Sequence, residues 1–210
     1  MQNNFTENTE IVLGYSPYEL KVGLLNKFIR FETFFTALNY LSYALKGIPY
    51  MGVGRNMAYK KSLFFSGKGF ASHMHILSGD DDLFVNQNAS RLNTRIEIHP
   101  DAQVWSEPKN SLSGFFSQKL RHQGAGKAYK KQHKRMLTIQ VLSGILFYAL
   151  LITLIVIKGQ WWLIASIFFI RMLVQILIYI PVLKKLKYID LIWYLPVFDF
   201  IYYIYIMLLS

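Results

Sequence analysis

Residues 137–157 read LTIQVLSGILFYALLITLIVI, a run with no charged side chain and few polar ones. About 20 apolar residues in helical form cross the hydrocarbon core of a bilayer, so this run reads as a membrane span. Downstream, Lys158-Gly159-Gln160 is a short turn. A second span follows at 161–183, interrupted by Arg171 and ending near Pro181. A third apolar stretch, 188–209, contains Asp190, Pro196 and Asp199. Pro196 and Asp199 fit either a re-entrant segment or a helix facing a bundle interior. Arg171 and Asp199 either line a polar path for a lipid or polymer or pair with one another between helices, the second being the commoner reason for such residues.

Basic residues set the expected orientation. Arg121, Lys127, Lys130, Lys131, Lys134 and Arg135 precede the first span; Lys158 alone separates spans one and two; Lys184, Lys185 and Lys187 separate two and three. The soluble part and the second loop are therefore expected in the cytoplasm and the C-terminus outside, with Trp161, Trp162 and Tyr188 at the interfaces. The N-terminal Met1-Gln2-Asn3-Asn4-Phe5 is polar and lacks the basic start and apolar core of a targeting signal.

The 210 residues carry a formal charge of +11 and 53% hydrophobic side chains. Apart from one helix, the apolar excess lies after Met136. The basic segment before the first span suits anionic lipid headgroups, and no nucleic-acid module accompanies it, so membrane lipids and not nucleic acid are the expected partner of the charge. Cysteine is absent, which excludes a disulfide framework, a thiolate metal site and a Cys nucleophile.

The preceding region alternates strand and helix signals. Glu10-Ile11-Val12-Leu13-Gly14-Tyr15 reads as a buried strand ending in a glycine turn. Residues 22–45 repeat apolar side chains at helical spacing; Lys27, Arg30, Glu32 and Asn39 argue against a span, leaving a helix packed on a sheet or lying on a membrane surface. Gly52-Val53-Gly54-Arg55-Asn56-Met57-Ala58-Tyr59 reads as a tight loop, where backbone approaches a ligand, followed by a short strand. Residues 67–78 read as a loop. Gly79-Asp80-Asp81-Asp82-Leu83-Phe84 then opens a helix to about Ala89. Acids favour a helix start, yet three in a row exceed what capping needs. Their mutual repulsion raises the pKa of at least one, which suits it to take a proton from a hydroxyl. A strand follows at 95–98, and an amphipathic helix at 111–121. Its last turn carries Gln118, Arg121 and His122 at i, i+3 and i+4, which share one face. The guanidinium there can grip a phosphate.

These pieces, in this order, resemble the membrane-integrated branch of family 2 glycosyltransferases, closest to Bacteroidetes-type bacterial members. The branch includes cellulose and hyaluronan synthases and ceramide glucosyltransferases. The resemblance runs over nearly the whole chain and rests on the Gly14-Tyr15 strand end, Gly52-x-Gly54-Arg55-Asn56-Met57-Ala58-Tyr59, Gly79-Asp80-Asp81-Asp82-Leu83-Phe84, Gln118-x-x-Arg121-His122 and the three spans. It implies an α/β fold: the C-terminal half of a GT-A nucleotide-sugar transferase domain (1–116), an interfacial helix and basic segment (117–136), and transmembrane helices (137–209). It implies an inverting hexosyltransferase-type enzyme of cell-envelope polysaccharide or glycolipid synthesis. The soluble part would sit at the cytoplasmic face of the bacterial inner membrane. A sugar would pass there from a nucleotide-sugar to a lipid or glycan acceptor. Asp80 or Asp81 would be the general base, Asp80 ranking first. Gln118, Arg121, His122, Arg55 and Asn56 would contact acceptor and diphosphate.

Two departures stand out. His122 replaces the family's Trp, which favours single-sugar transfer over polymer synthesis. The family's first nucleotide-binding strand and its metal-holding Asp-x-Asp have no counterpart before Gly14, where the acids are Glu7 and Glu10. The expectation is a chain without its donor half, inactive alone, with Mg2+ or Mn2+ belonging to the complete enzyme and a separately encoded N-terminal half as a partner. Two rivals remain. One is a metal-dependent membrane hydrolase using His73-Met74-His75, the acids at 80–82 and His99. The other is a non-catalytic membrane interaction protein. Gly124-Ala125-Gly126-Lys127 lacks the spacing of a phosphate-binding loop.

Overall fold

The computed structural model describes residues 1–76 and 78–209, with the backbone alone at 123. The chain divides into two compact units, Met1–Lys134 and Arg135–Ser210. It is mostly helical, with a small sheet in the first unit and three helices long and apolar enough to cross a membrane.

The first unit is built on strand β1 (Ile11–Gly14), whose Ile11, Val12 and Leu13 are fully buried. Such a run has no polar alternation because both faces are covered. β1 lies between β2 (Met57–Tyr59), antiparallel to it, and β3 (Thr94–Glu97), parallel to it. Helix α1 (Leu24–Leu45) buries Phe31, Phe34, Phe35, Ala37, Tyr40 and Leu41, and the Tyr40 hydroxyl donates to the Gly14 carbonyl at 2.6 Å. Of the two settings open to this helix, the structure shows packing on the sheet. A short helix α2 (Lys61–Ser66) stands where the sequence suggested a surface stretch. Its Phe64 packs against Tyr59, Phe70 and Phe84. Helix α3 (Asp80–Asn88) starts at Gly79 as expected. Of the loop expected over 67–78, residues 71–73 form a 3-10 turn and residue 77 lies outside the described residues.

Helix α4 (Leu112–Lys127) corrects the sequence reading. Ser111 caps it, its Oγ accepting from the Gly114 N–H at 3.1 Å, but the helix runs six residues beyond Arg121. Gln118, Arg121 and His122 therefore sit mid-helix, not in a last turn. Gly124 and Gly126 each cost about 1 kcal/mol of helix propensity relative to Ala. Between them, Ala125 is fully buried, and tertiary packing outweighs that cost.

Helix α5 (Lys131–Val156) spans the division between the units. In the second unit, α6 (Trp161–Lys185) continues through Pro181 rather than ending there. The third stretch is broken: a 3-10 segment, Ile189–Tyr194, precedes α7 (Leu195–Leu209). Pro196 falls in the first turn of α7, where its missing N–H costs nothing. Asp199 is fully buried. Its Oδ2 accepts from Tyr148 Oη at 2.5 Å and from Arg171 Nε and Nη2 at 3.2 and 2.9 Å, and its Oδ1 accepts from Gln175 Nε2 at 2.9 Å. Arg171 and Asp199, which lie in two of the helices apolar enough to cross a membrane, thus form an interhelical pair.

Candidate functional site

One cleft of the first unit gathers the chemistry-bearing side chains. It holds about 160 Å³ and opens to solvent, smaller than a typical site for a drug-sized ligand. Its walls come from the end of β1 (Tyr15, Ser16, Tyr18), from α1 (Glu32, Tyr40), from the glycine loop (Gly52, Arg55), from α3 (Asp81, Asp82) and from α4 (Gln118, Lys119, His122).

The start of α3 is positioned by two glycines. Gly79 has φ +84°, a conformation glycine adopts freely, and a Cβ there would strike the Cβ of Ala125 on α4. The acidic turn therefore docks directly against the helix that carries Gln118 and His122. Gly54 donates its N–H to Asp81 Oδ2, and a Cβ at Gly54 would stand 2.6 Å from that oxygen. Farther along, Asn86 donates to the Tyr50 carbonyl at 2.7 Å and accepts from the Lys130 N–H at 2.9 Å, which ties α3 to the segment after α4.

This docking selects among the three acids. Asp81 and Asp82 line the cleft, whereas Asp80 is exposed and outside its lining. The raised carboxyl expected from mutual repulsion is that of Asp82. Burial pushes it well above the usual carboxylate range; Asp81 and, more weakly, Asp80 add repulsion, against the pull of a Tyr129 hydrogen bond and of Lys119. Burial also raises the hydroxyls of Tyr129 and Tyr40.

On α4 the shared face is not the expected one. Residues advance roughly 100° each around a helix. Gln118 and Lys119 therefore flank His122, while Arg121 lies about 100° from it, beyond Gln118. Gln118, Lys119 and His122 line the cleft; Arg121 is exposed and does not. Gln118 Nε2 donates to Tyr18 Oη at 3.3 Å, and Lys119 Nζ pairs with Glu32 Oε2 at 2.6 Å. Partial loss of surrounding water, with Lys119 and Arg121 nearby, lowers the His122 pKa. Its Nδ1 lies 3.3 Å from Ser78 Oγ.

The glycine loop splits its pair. Arg55 reaches the cleft, its guanidinium 4.5 Å from the Tyr18 ring centre and donating to the Ser16 carbonyl at 3.2 Å. Asn56 is buried and spends its amide on the carbonyls of Tyr15 and Ala102, at 2.6 and 2.8 Å. It braces the strand end and is not a lining residue, contrary to the binding role expected of it. Glu32, Lys119, Tyr40 and Asp82 belong to the cleft, although no sequence motif marked Glu32 or Tyr40.

The histidines of the hydrolase reading do not converge on the acids. His73 is buried against Phe70, with Nδ1 3.0 Å from Ser72 Oγ, and His99 caps the 3-10 turn at Pro100–Ala102. Among the described residues no group of three His, Cys, Asp or Glu stands ready to hold a metal. Glu32, the third carboxylate of the cleft, is tied to Lys119. Neither a scan against protein-family models nor a search of curated proteins returns a match to this chain.

Proposed function

We propose that this chain supplies the general base and acceptor-side groups of an inverting glycosyltransferase. The enzyme would move a sugar from a nucleotide-sugar to a lipid or glycan acceptor at the cytoplasmic face of a membrane. One observation carries the reading: Asp81 and Asp82 face Arg55, Gln118, Lys119 and His122 across a single cleft. Three helices able to cross a bilayer, in the same chain, support the membrane setting.

In the proposed reaction Asp81 takes the proton of the acceptor hydroxyl. The freed oxygen pair bonds to the anomeric carbon as the bond from that carbon to the diphosphate oxygen breaks. That electron pair leaves with the nucleoside diphosphate. Negative charge grows on the leaving group, and fixed cations aimed at it lower the barrier. Arg55 and Lys119 are the cations of the cleft, and the Gln118 amide is a neutral donor beside them. Burial raises the Asp82 pKa, which disfavours a second full negative charge beside Asp81.

The test is transfer of labelled sugar from a panel of nucleotide-sugars into lipid or glycan, in membranes that hold the chain or its variants together with the separately encoded donor-binding half. Wild type should transfer label, Asp81→Asn should abolish it, and Asp80→Asn should stay near wild type. Full activity in Asp81→Asn, or no transfer from any donor, overturns the reading.

A further inference from the structure

Helices α1 and α4 lie side by side and run the same way. Phe28 meets Phe115 edge-on at 6.2 Å, and one turn further Glu32 meets Lys119 at 2.6 Å. One turn back, the same register brings Leu24 and Leu112 to a common end of the pair. Both are exposed there, at 67% and 59%. The chain entering α1 adds Leu20 at 58% and Val22, which is wholly exposed. A side chain at Gly23 would meet nothing within 4 Å, so this tip stands clear of the rest of the unit. The segment before α4 joins the same edge, since Tyr18 bridges Ser106 and Glu19 N–H donates to the Ser106 carbonyl at 3.0 Å. Next to Ser106 comes Trp105, at the border of exposure.

Four exposed aliphatic side chains in one place are costly in water, and such patches mark contact surfaces. Charge narrows the choice of partner. Lys21, Lys27 and Lys109 stand among them, and the neighbouring acids, Glu19 and Glu107, are both within 4 Å of Lys21 Nζ. Aliphatic tips with Trp and Lys beside them match the boundary between lipid headgroups and acyl chains. The chain also brings its own bilayer, because helices able to cross one begin at Lys131. Tethering makes surface contact effectively intramolecular.

The geometry points to the edge formed by Leu20, Val22, Leu24 and Leu112 as a lipid-inserting edge, which dips its aliphatic tips into the headgroup–acyl boundary of the membrane. Insertion of this kind reaches about 5–10 Å below the surface. The inference stands apart from the transfer reaction, since its readout is lipid proximity and not activity.

The chain has no cysteine, so single labels can be placed without background. The full chain, carrying Val22→Cys or Leu24→Cys labelled with an environment-sensitive fluorophore, would be reconstituted in nanodiscs of mixed phosphatidylcholine and phosphatidylglycerol. Leu92→Cys is the control. It is 82% exposed and lies beside Asn93, which bonds the opposite end of β1. The labels at 22 and 24 should emit to the blue of the label at 92, and lipids brominated on their acyl chains should quench them selectively. Emission at 22 and 24 matching that at 92 overturns the inference. So does a blue shift without quenching by brominated lipid, which would mean that a protein or a second copy covers the edge. Val22 touches nothing that its replacement could disturb, and the label at 24 provides a second reading.

Discussion

Asp199 in the second unit and Asp81 in the first are both helix acids, and their surroundings treat them in opposite ways. Asp199 is sealed from solvent, and Tyr148, Arg171 and Gln175 donate to its two oxygens. Asp81 receives one backbone N–H, from Gly54, and otherwise faces an open cleft beside Lys119 and His122. A carboxylate whose acceptor positions are filled by its own protein has nothing left for a ligand, and its removal strands the donors. A carboxylate with spare lone pairs toward a cleft contributes little to stability but can accept a proton. The first kind of acid should therefore cost folding when lost, and the second should cost activity.

The largest effect tests the sealed side of this contrast. Asp199→Leu leaves Arg171 with an uncompensated charge among helices, a loss of about 3–5 kcal/mol for a buried pair broken on one side. Denaturant titration of the second unit's helices in mild detergent would read it. Adding Arg171→Met should recover part of the loss, because replacing both partners removes the stranded charge. A neutral outcome for Asp199→Leu would break the comparison at its structural end. Asp81→Asn is the counterpart. It should lower transfer by about 10²–10⁴-fold, the usual contribution of a general base, with almost no shift in melting temperature. A large melting shift there would move Asp81 into the same class as Asp199.

How much of this could be read in the sequence follows from the range of the forces involved. β1 was legible because burial on both faces leaves residues 11–14 an unbroken apolar run ending in glycine, and α1 because burial of one face writes a period into residues 24–45. The start of α3 was legible because Gly79 and the acids are local signals. The length of α4 was not, since Ala125 is held by Gly79, a contact across 46 positions that overrides two local glycines. The six-residue α2 was missed because its apolar side chains are too few to show a period. In the site, the acidic cluster was legible but its rotation was not. Which acid turns to the cleft depends on how Gly79 seats on α4, and Asp81 lines it where Asp80 does not. On α4 the cleft takes Lys119 and not Arg121, which stands about 160° away around the helix. Glu32 was invisible as a site residue because its partner Lys119 lies 87 positions away.

A smaller effect probes an acid of intermediate kind. Glu32 is 8% exposed at its side chain and holds Lys119, which keeps 24%. Glu32→Gln should cost about 1–2 kcal/mol, the scale of one hydrogen bond to a charged group, read as a drop in melting temperature. It should also weaken transfer, because Lys119 loses the partner that aims it along the cleft. If stability falls and transfer does not, the pair belongs with Asp199 as architecture.

The last case reverses the sign. Asp82 lines the cleft, but burial raises its pKa well above the ordinary carboxylate value of about 3.8. The folded state therefore binds its proton more tightly than the unfolded chain does. Folding stability should then fall as pH rises from about 3.8 through the folded value, by about 1.4 kcal/mol for each unit between them. Asp82→Asn mimics the protonated form and keeps a polar group for Tyr129. It should match wild type near pH 3, where both states hold the proton, and melt at a higher temperature at pH 8. Thermal unfolding of the two proteins across that range would decide it. A variant less stable than wild type at pH 8 would mean that the charged carboxylate is welcome in the fold, and Asp82 would then join Asp199 as a supporting ion. A variant more stable but slower in transfer would place Asp82 beside Asp81, as an acid kept at the cleft against the preference of the fold.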